Sequence, residues 1–361
     1  MIRQLRAKSR DFIHRGKDFL LNALAAGLDL VRFFRHHGGA MSGAQEATRA
    51  DLTRAYHALE KGMALKDPRT NFGIKQRERL FELLHMYIGR WGYDELTRTA
   101  FGVLESYCIF NEDRGAPVPD VRSRIIALAA RAPDGNGCKH MGGTIDLRSE
   151  EVVRNGRGSF RDLLRSRHSV RQFSEEAVDP SLIRQAVEMA MRTPSACNRQ
   201  AWRVYAFSDP DQKRAILQAQ GGGRGFGEQA PILLVVASDF RCFFGTAERH
   251  QAWVDGGLFA MSLMYALQFL GLGSCPLHCS FGPRGENRFR RAAGIPSYEP
   301  LIVAIAVGHM PERFKVAASP RRSLDEVLIR KSIDDVLVMD EQLSSVARDV
   351  ALVETGAVAL P

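Results

Sequence analysis

Residues 252–270 are apolar nearly all the way round a helix, and this stretch limits the fold of the chain more tightly than any other. Such a helix must be covered on most of its sides, so it belongs at the centre of a large fold or is shared between two copies of the chain. Its length also raises the question of a membrane span. Asp255, Gln268 and the Gly256-Gly257 pair argue against lipid. Gly271 and Gly273 follow at once and supply a helix stop with freedom for positive φ.

The rest of the C-terminal half alternates helices and strands. Asp179 is placed to cap a helix with Pro180 at its first position, and Ile183, Ala186, Val187 and Ala190 follow at helical period. Asp209 and Pro210 repeat the device, with Gln212 three residues after the cap as in a capping box. Residues 202–207 alternate as a strand does, whereas residues 232–237 and 301–307 are continuous β-branched runs suited to strands buried on both faces. The first 130 or so residues read differently: 44–65, 75–90 and 93–110 carry apolar residues at helical spacing. Turn formers crowd residues 132–143. The expected organisation is a helical accessory region over 1–150, a mixed domain over 151–335 and a tail over 336–361. A chain of 361 residues is long enough for two cores.

The net charge of +9, from 50 basic and 41 acidic residues, is spread along the chain and comes with no nucleic-acid motif, so no nucleic-acid partner is expected. One basic cluster stands out, Arg3, Arg6, Lys8, Arg10, Arg15 and Lys17, ahead of an apolar stretch over 19–31 that is too short to span a bilayer. This stretch reads as a surface helix, or as an amphipathic helix giving membrane-surface contact through residues 1–36. Ala23-Leu24-Ala25 matches a signal cleavage site only faintly. Six cysteines at irregular positions show no metal-ligand spacing, so no metal is expected. Reduced thiols in a cytoplasmic, at most membrane-peripheral, protein are the expectation. Residues 54–62 are dense in reactive side chains, with His57 and Lys61 on one helical face, and read first as a charged helix surface; covering an active site, recruiting a partner or touching a membrane are the open alternatives for this region.

Three separated segments carry groups suited to a phosphorylated, flat heterocycle. In Arg167-His168-Ser169-Val170-Arg171 the two arginines and the serine are spaced so that an extended backbone aims them to one side, where guanidinium forks and a hydroxyl suit a phosphate and a polyol. Phe173 and Val178 are placed to dock this segment on the fold. Pro194-Ser195-Ala196-Cys197-Asn198-Arg199-Gln200 lies between a helix end and a strand, and Asn198 and Gln200 offer donors and acceptors to ring carbonyls and nitrogens. Asn198 could equally satisfy its own turn. Gly271-Leu272-Gly273-Ser274-Cys275-Pro276-Leu277-His278-Cys279 reads as a Gly-rich turn whose backbone N–H groups can face a reactive atom. His278 as a general acid and Cys275 with Cys279 as a redox pair are side-chain alternatives, although the spacing is not that of the redox CxxC.

As a set, these segments resemble the nitroreductase family of FMN-dependent oxidoreductases over about residues 158–330. The resemblance implies an α+β fold, an α/β/α sandwich with a central mixed sheet, here joined to an N-terminal helical region. It implies that Arg167, His168, Ser169 and Arg171 hold the FMN phosphate, ribityl chain and ring edge, and that Pro194, Ser195, Asn198 and Gln200 contact the ring. Pro276, Leu277, His278 and Cys279 then fall where a backbone N–H meets flavin N5, and Arg321 ahead of Ser323-Leu324-Asp325-Glu326-Val327 matches a phosphate-binding arginine. Ala201 replaces the usual proline, and the acidic residue often found where His278 sits is absent. The implied activity is ping-pong hydride transfer from NADH or NADPH to an electron-poor acceptor in a homodimer, with no catalytic side chain. The competing reading is a non-catalytic flavin-binding or membrane-surface protein whose nitroreductase-like half serves only to dimerise.

Overall fold

The computed structural model describes residues 20, 23–24, 26–27, 45–130, 142–243 and 246–329. Apart from those few positions, the basic N-terminal region over 1–36 lies outside the described residues, as do Cys138 with the turn-rich stretch up to 141 and the tail over 336–361. Among the described residues no helix is long and apolar enough to cross a membrane.

Helices α1 (Gln45–Met63), α2 (Ile74–Trp91), α3 (Glu95–Glu112) and α4 (Pro119–Ala129) enclose a core of their own. Leu52, Leu59, Leu80, Leu84, Phe101, Leu104 and Tyr107 are fully or almost fully buried there, which is what the helical spacing of the sequence requires. Asp94 starts α3 with a capping box, its carboxylate accepting from the Thr97 amide while the Thr97 side chain answers the Asp94 amide. At Gly62 an added Cβ would collide with the ring of Phe72, so the aromatic lies directly on the backbone of α1.

The C-terminal half is an α/β/α sandwich. Its four-stranded sheet has the order β2 (Trp202–Phe207), β3 (Ile232–Ser238), β5 (Leu301–Gly308), β4 (Gly273–His278), and all three ladders are antiparallel. The parallel component is a single bridge, Ser169 to Ser274, on the outer side of β4. A separate ribbon pairs β1 (Thr144–Arg148) with β6 (Arg313–Ala317). The remaining helices are α5 (Ser149–Gly156), α6 (Phe160–Ser166), α7 (Pro180–Ala190), α8 (Pro210–Gln220), α9 (Gln251–Phe269) and α10 (Pro283–Ala293). Leu233, Val235, Ala304 and Ala306 face α8 and α10 through Ile216, Leu217 and Phe289; Leu234, Val236, Ile305 and Val307 face α7 and α9 through Ile183, Ala186, Phe259 and Leu263. Covered on both faces, β3 is buried at every position, which explains its unbroken apolar run in an antiparallel setting.

Caps follow the sequence with one difference. Asp179 accepts from the Ser181 amide and Asp209 from the Gln212 amide at 2.8 Å, but the Gln212 side chain turns to the Ala292 carbonyl at the end of α10, leaving half a capping box.

Helix α9 lies so close to the sheet that a Cβ on Gly256 would sit 2.6 Å from Ile302. Beside that contact Trp202 stacks on Phe259, with ring centroids 4.9 Å apart and planes 19° from parallel. The opposite side of α9 is open: Trp253, Val254, Leu258 and Phe269 are 41–52% exposed. Described residues 320–329 belong to a second unit of the chain, in which Ser323 caps the short helix α11 (Leu324–Val327). Replacing Phe259 with alanine is expected to lower unfolding free energy by about 3–5 kcal/mol, measured by urea denaturation. A loss below about 1 kcal/mol would contradict this packing.

Candidate functional site

The first and third segments meet. Val170 donates its amide to the Ser274 carbonyl at 2.9 Å next to the Ser169 bridge, and the buried side chains of Val170 and Phe173 fix the strip in place. Val178 is buried as well, in the core beneath α7. Glycine is required at 273, where a Cβ would lie 2.8 Å from Met310 and 3.1 Å from Val170. Gly271 makes the turn itself, at φ +85°. The residues after it were expected to continue as a turn, yet Gly273–His278 is a strand, because one left-handed glycine reverses the chain and the rest can pair with β5.

Along that strand Pro276 and His278 are exposed and Cys275 and Leu277 buried. An edge strand turns part of its backbone outward, so this stretch can offer amides to a ligand. The carbonyl of His278 accepts from Gln220 at 2.9 Å, and its Nδ1 accepts from the Ser280 amide at 3.4 Å. Arg171 is 8% exposed, and its guanidinium donates to the Ser169 carbonyl at 3.3 Å and lies 5.9 Å from the Phe226 ring. Arg167 ends α6 and is half-buried. His168 lines a depression of about 240 Å³ with residues of α5 and α6.

Burial raises the Cys275 thiol even though Arg171, Lys61 and Arg167 all pull the other way, and burial pushes Cys279 up to about 12. Both are therefore thiols at neutral pH, which speaks against a redox pair there.

The second segment is strained. Cys197, Asn198 and Gln200 have φ of 51°, 55° and 51°, a region that non-glycine residues rarely enter. Its supports are specific. Asp255, 1% exposed on α9, accepts from the Ala196 amide at 3.1 Å and from Gln251 at 2.7 Å; the Ser195 hydroxyl accepts from the Gln200 amide at 3.0 Å; Arg199 forms a two-pronged ion pair with Glu248 at 2.8 and 2.9 Å. The Asn198 side chain accepts from Gln200 at 3.2 Å, linking two of the expected ligand residues rather than closing its own turn. Pro194, Asn198 and Gln200 are exposed. Next to them a groove of about 750 Å³ runs between α7 and β2, lined by Gln200, Trp202 and Arg203.

Sheet order separates these parts. The second segment leads into β2 at one edge, while the first and third lie at β4, the opposite edge. Three strand spacings of about 4.8 Å put roughly 14 Å between those edges within one chain. Arg321 falls in the second unit, 320–361, where Arg322 lies 4.0 Å from Glu326.

Sequence reasoning left the role of the helical region open and misjudged the setting of one of its residues. Glu60, read as helix surface, is fully buried, accepting from the Gly143 amide at 3.1 Å and pairing with His57 at 3.0 Å. Gln172, next to Arg171, donates to the Ala64 and Leu65 carbonyls at 3.1 and 3.5 Å. Lys61 keeps much of its surface exposed, yet partial desolvation of its ammonium and then Arg171 hold it below the usual lysine range. The available signal was the Glu60-Lys61-Gly62 run itself, in which a glycine interrupts a helix exterior. Among the described residues no cluster of His, Cys, Asp or Glu could hold a metal ion.

Residues 164–223 and 215–309 match the model of the nitroreductase family, the family that the motifs resemble. Curated relatives are distant and varied. They include an NADH dehydrogenase of Thermus thermophilus, 29% identical over 40% of this chain and 84% of that protein, and iodotyrosine deiodinase 1 of Mus musculus, 26% identical over 50% and 72%. The FMN reductase [NAD(P)H] of Bacillus subtilis is 25% identical over 42% and 65%. The family match leaves residues 1–163 outside it.

At pH 8 iodoacetamide is expected to alkylate exposed Cys197 while Cys279, and Cys108, pushed by burial up to about 11, stay unmodified, as read by peptide mass. Labelling of Cys279 as fast as Cys197 in the folded chain would contradict the raised pKa of this half-buried thiol.

Proposed function

We propose that this chain is an FMN-dependent oxidoreductase that carries electrons from NADH or NADPH to an electron-poor acceptor, and that it works as a homodimer. The observation that carries the reading is Arg171: a cation 8% exposed, with no carboxylate partner among the described residues, beside the outer edge of β4. A buried guanidinium in that state calls for an anion from outside the chain. The strained amides of the second segment and the accessible edge of β4 suit a flat heterocycle with carbonyls and ring nitrogens.

FMN, when bound, supplies reversible hydride chemistry at its N5 position. The chain's own residues bind and orient it. Arg167 and Ser169 serve the phosphate and ribityl chain, Arg171 the ring edge, and the backbone around Leu277 and His278 the N5 side. Asn198 and Gln200 address the ring, and Arg321 keeps a phosphate role on its motif alone. Nitroaromatics, quinones or a substrate particular to one pathway fit as acceptors, and the distant relatives differ among themselves in what their names describe.

Strand order supports the homodimer reading. One chain holds its two half-sites at opposite sheet edges, so a second copy can bring its β2-side segment to the first copy's β4 side. The open stripe of α9, Trp253, Val254 and Leu258, is apolar surface fit to be shared between copies.

Purified full-length chain is expected to be yellow, to bleach with NADH or NADPH, and to recover its colour with a nitroaromatic or quinone. A flavin that neither nicotinamide bleaches would overturn the oxidoreductase reading. Leu258→Asp is expected to give a monomer by light scattering and to lose most bound flavin. A monomer that keeps its flavin would place the whole site within one chain.

A further inference from the structure

Lys61 lies in the helical region, outside the family match, yet the fold delivers it to the flavin side of the molecule. Two anchors fix it there. Glu60, its neighbour, is buried and accepts from the Gly143 amide. Three and four residues further on, the Ala64 and Leu65 carbonyls accept from Gln172, the residue next to Arg171. The end of α1 therefore abuts the Arg171 strip, and Lys61, exposed in the last turn of that helix, stands beside it. Leu65 completes the docking by packing on the core that holds Val170, Phe226 and Cys275.

The electrostatics agree with this placement. Desolvation and then Arg171 lower the pKa of Lys61, and Arg171, Lys61 and Arg167 all act on buried Cys275, so three cations lie near the start of β4. Lys61 and Arg171 have no carboxylate partner among the described residues, and two like charges so placed repel each other until an anion lies between them.

We propose that Lys61 and Arg171 together grip the electron-rich N1–C2 carbonyl edge of the flavin ring, which makes the helical region a working wall of the cofactor site. This rests on the FMN reading above. The lysine adds positive charge where negative charge grows on reduction, so it favours the reduced cofactor over the oxidised one.

The test uses full-length chain stripped of flavin and reconstituted with FMN or with riboflavin, in wild type, Lys61→Gln and Lys61→Arg. Binding is read by flavin fluorescence and the midpoint potential by dye equilibration. Lys61→Gln is expected to weaken both flavins about tenfold, and to weaken the reduced form a further tenfold, which lowers the potential by about 30 mV for a two-electron couple. Lys61→Arg is expected to restore most of both losses. Unchanged affinity and potential in Lys61→Gln would remove Lys61 from the site. A loss seen with FMN and absent with riboflavin would place it at the phosphate and overturn the ring-edge assignment. If wild type takes up no flavin, the FMN reading itself fails; if wild type binds and Lys61→Gln is indistinguishable from it, the role of Lys61 alone fails.

Discussion

The close approach of α9 to the sheet is the constraint on which the C-terminal half depends. Gly256 lets the helix axis come within contact of Ile302, and that distance is what allows Phe259 to lie flat against Trp202. One residue before that glycine, Asp255 is carried into the same buried layer, where a carboxylate can be tolerated only with donors in place. It finds them in Gln251 and the Ala196 amide. A helix whose first duty is to fill a core thereby also holds the segment that contains three left-handed residues, and the strain there is balanced by packing a turn or more away.

The helical region and the sandwich are joined by a different kind of contact. Each has an apolar core of its own, and besides Leu65 packed on the sandwich core, directed polar contacts join them: Glu60 with the Gly143 amide, and Gln172 with the end of α1. A fully buried carboxylate and a directed amide fix orientation as well as proximity, since each tolerates little displacement before a buried polar group is left without its partner. Such a joint suits a region whose value lies in where it puts a few side chains.

Much of this was legible in the sequence, for physical reasons that differ from element to element. Residues 202–207, the strand cores over 232–237 and 301–307 and the capped helices at Asp179 and Asp209 are local: periodicity and capping chemistry decide them within a few residues. The three candidate segments stood out because glycine, proline and small polar residues mark places where backbone conformation matters. Strand β4 was hidden by its glycines and proline, since an edge strand tolerates both and a reading of turn chemistry does not see the partner strand. The ribbon of β1 and β6 was hidden by the distance along the chain between its halves. Glu60 was misjudged because a carboxylate on a helix is normally wet, and only the fold brings Gly143 to it. The separation of the half-sites across the sheet was beyond any local signal, because strand order is a property of the whole topology.

Strand β2 has one further implication. Its outer edge carries a row of backbone groups that, among the described residues, no neighbouring strand engages, and such a row is an invitation to any extended peptide. Arg203 answers part of that hazard by folding its guanidinium back onto the Trp202 carbonyl at 2.9 Å and toward Asp239 at 3.6 Å, which places a bulky cation over the margin. The same margin leads directly from the strained segment over 195–200, so a chain that lost order there would become sticky, and its solubility during purification would report on how well that corner of the molecule is assembled.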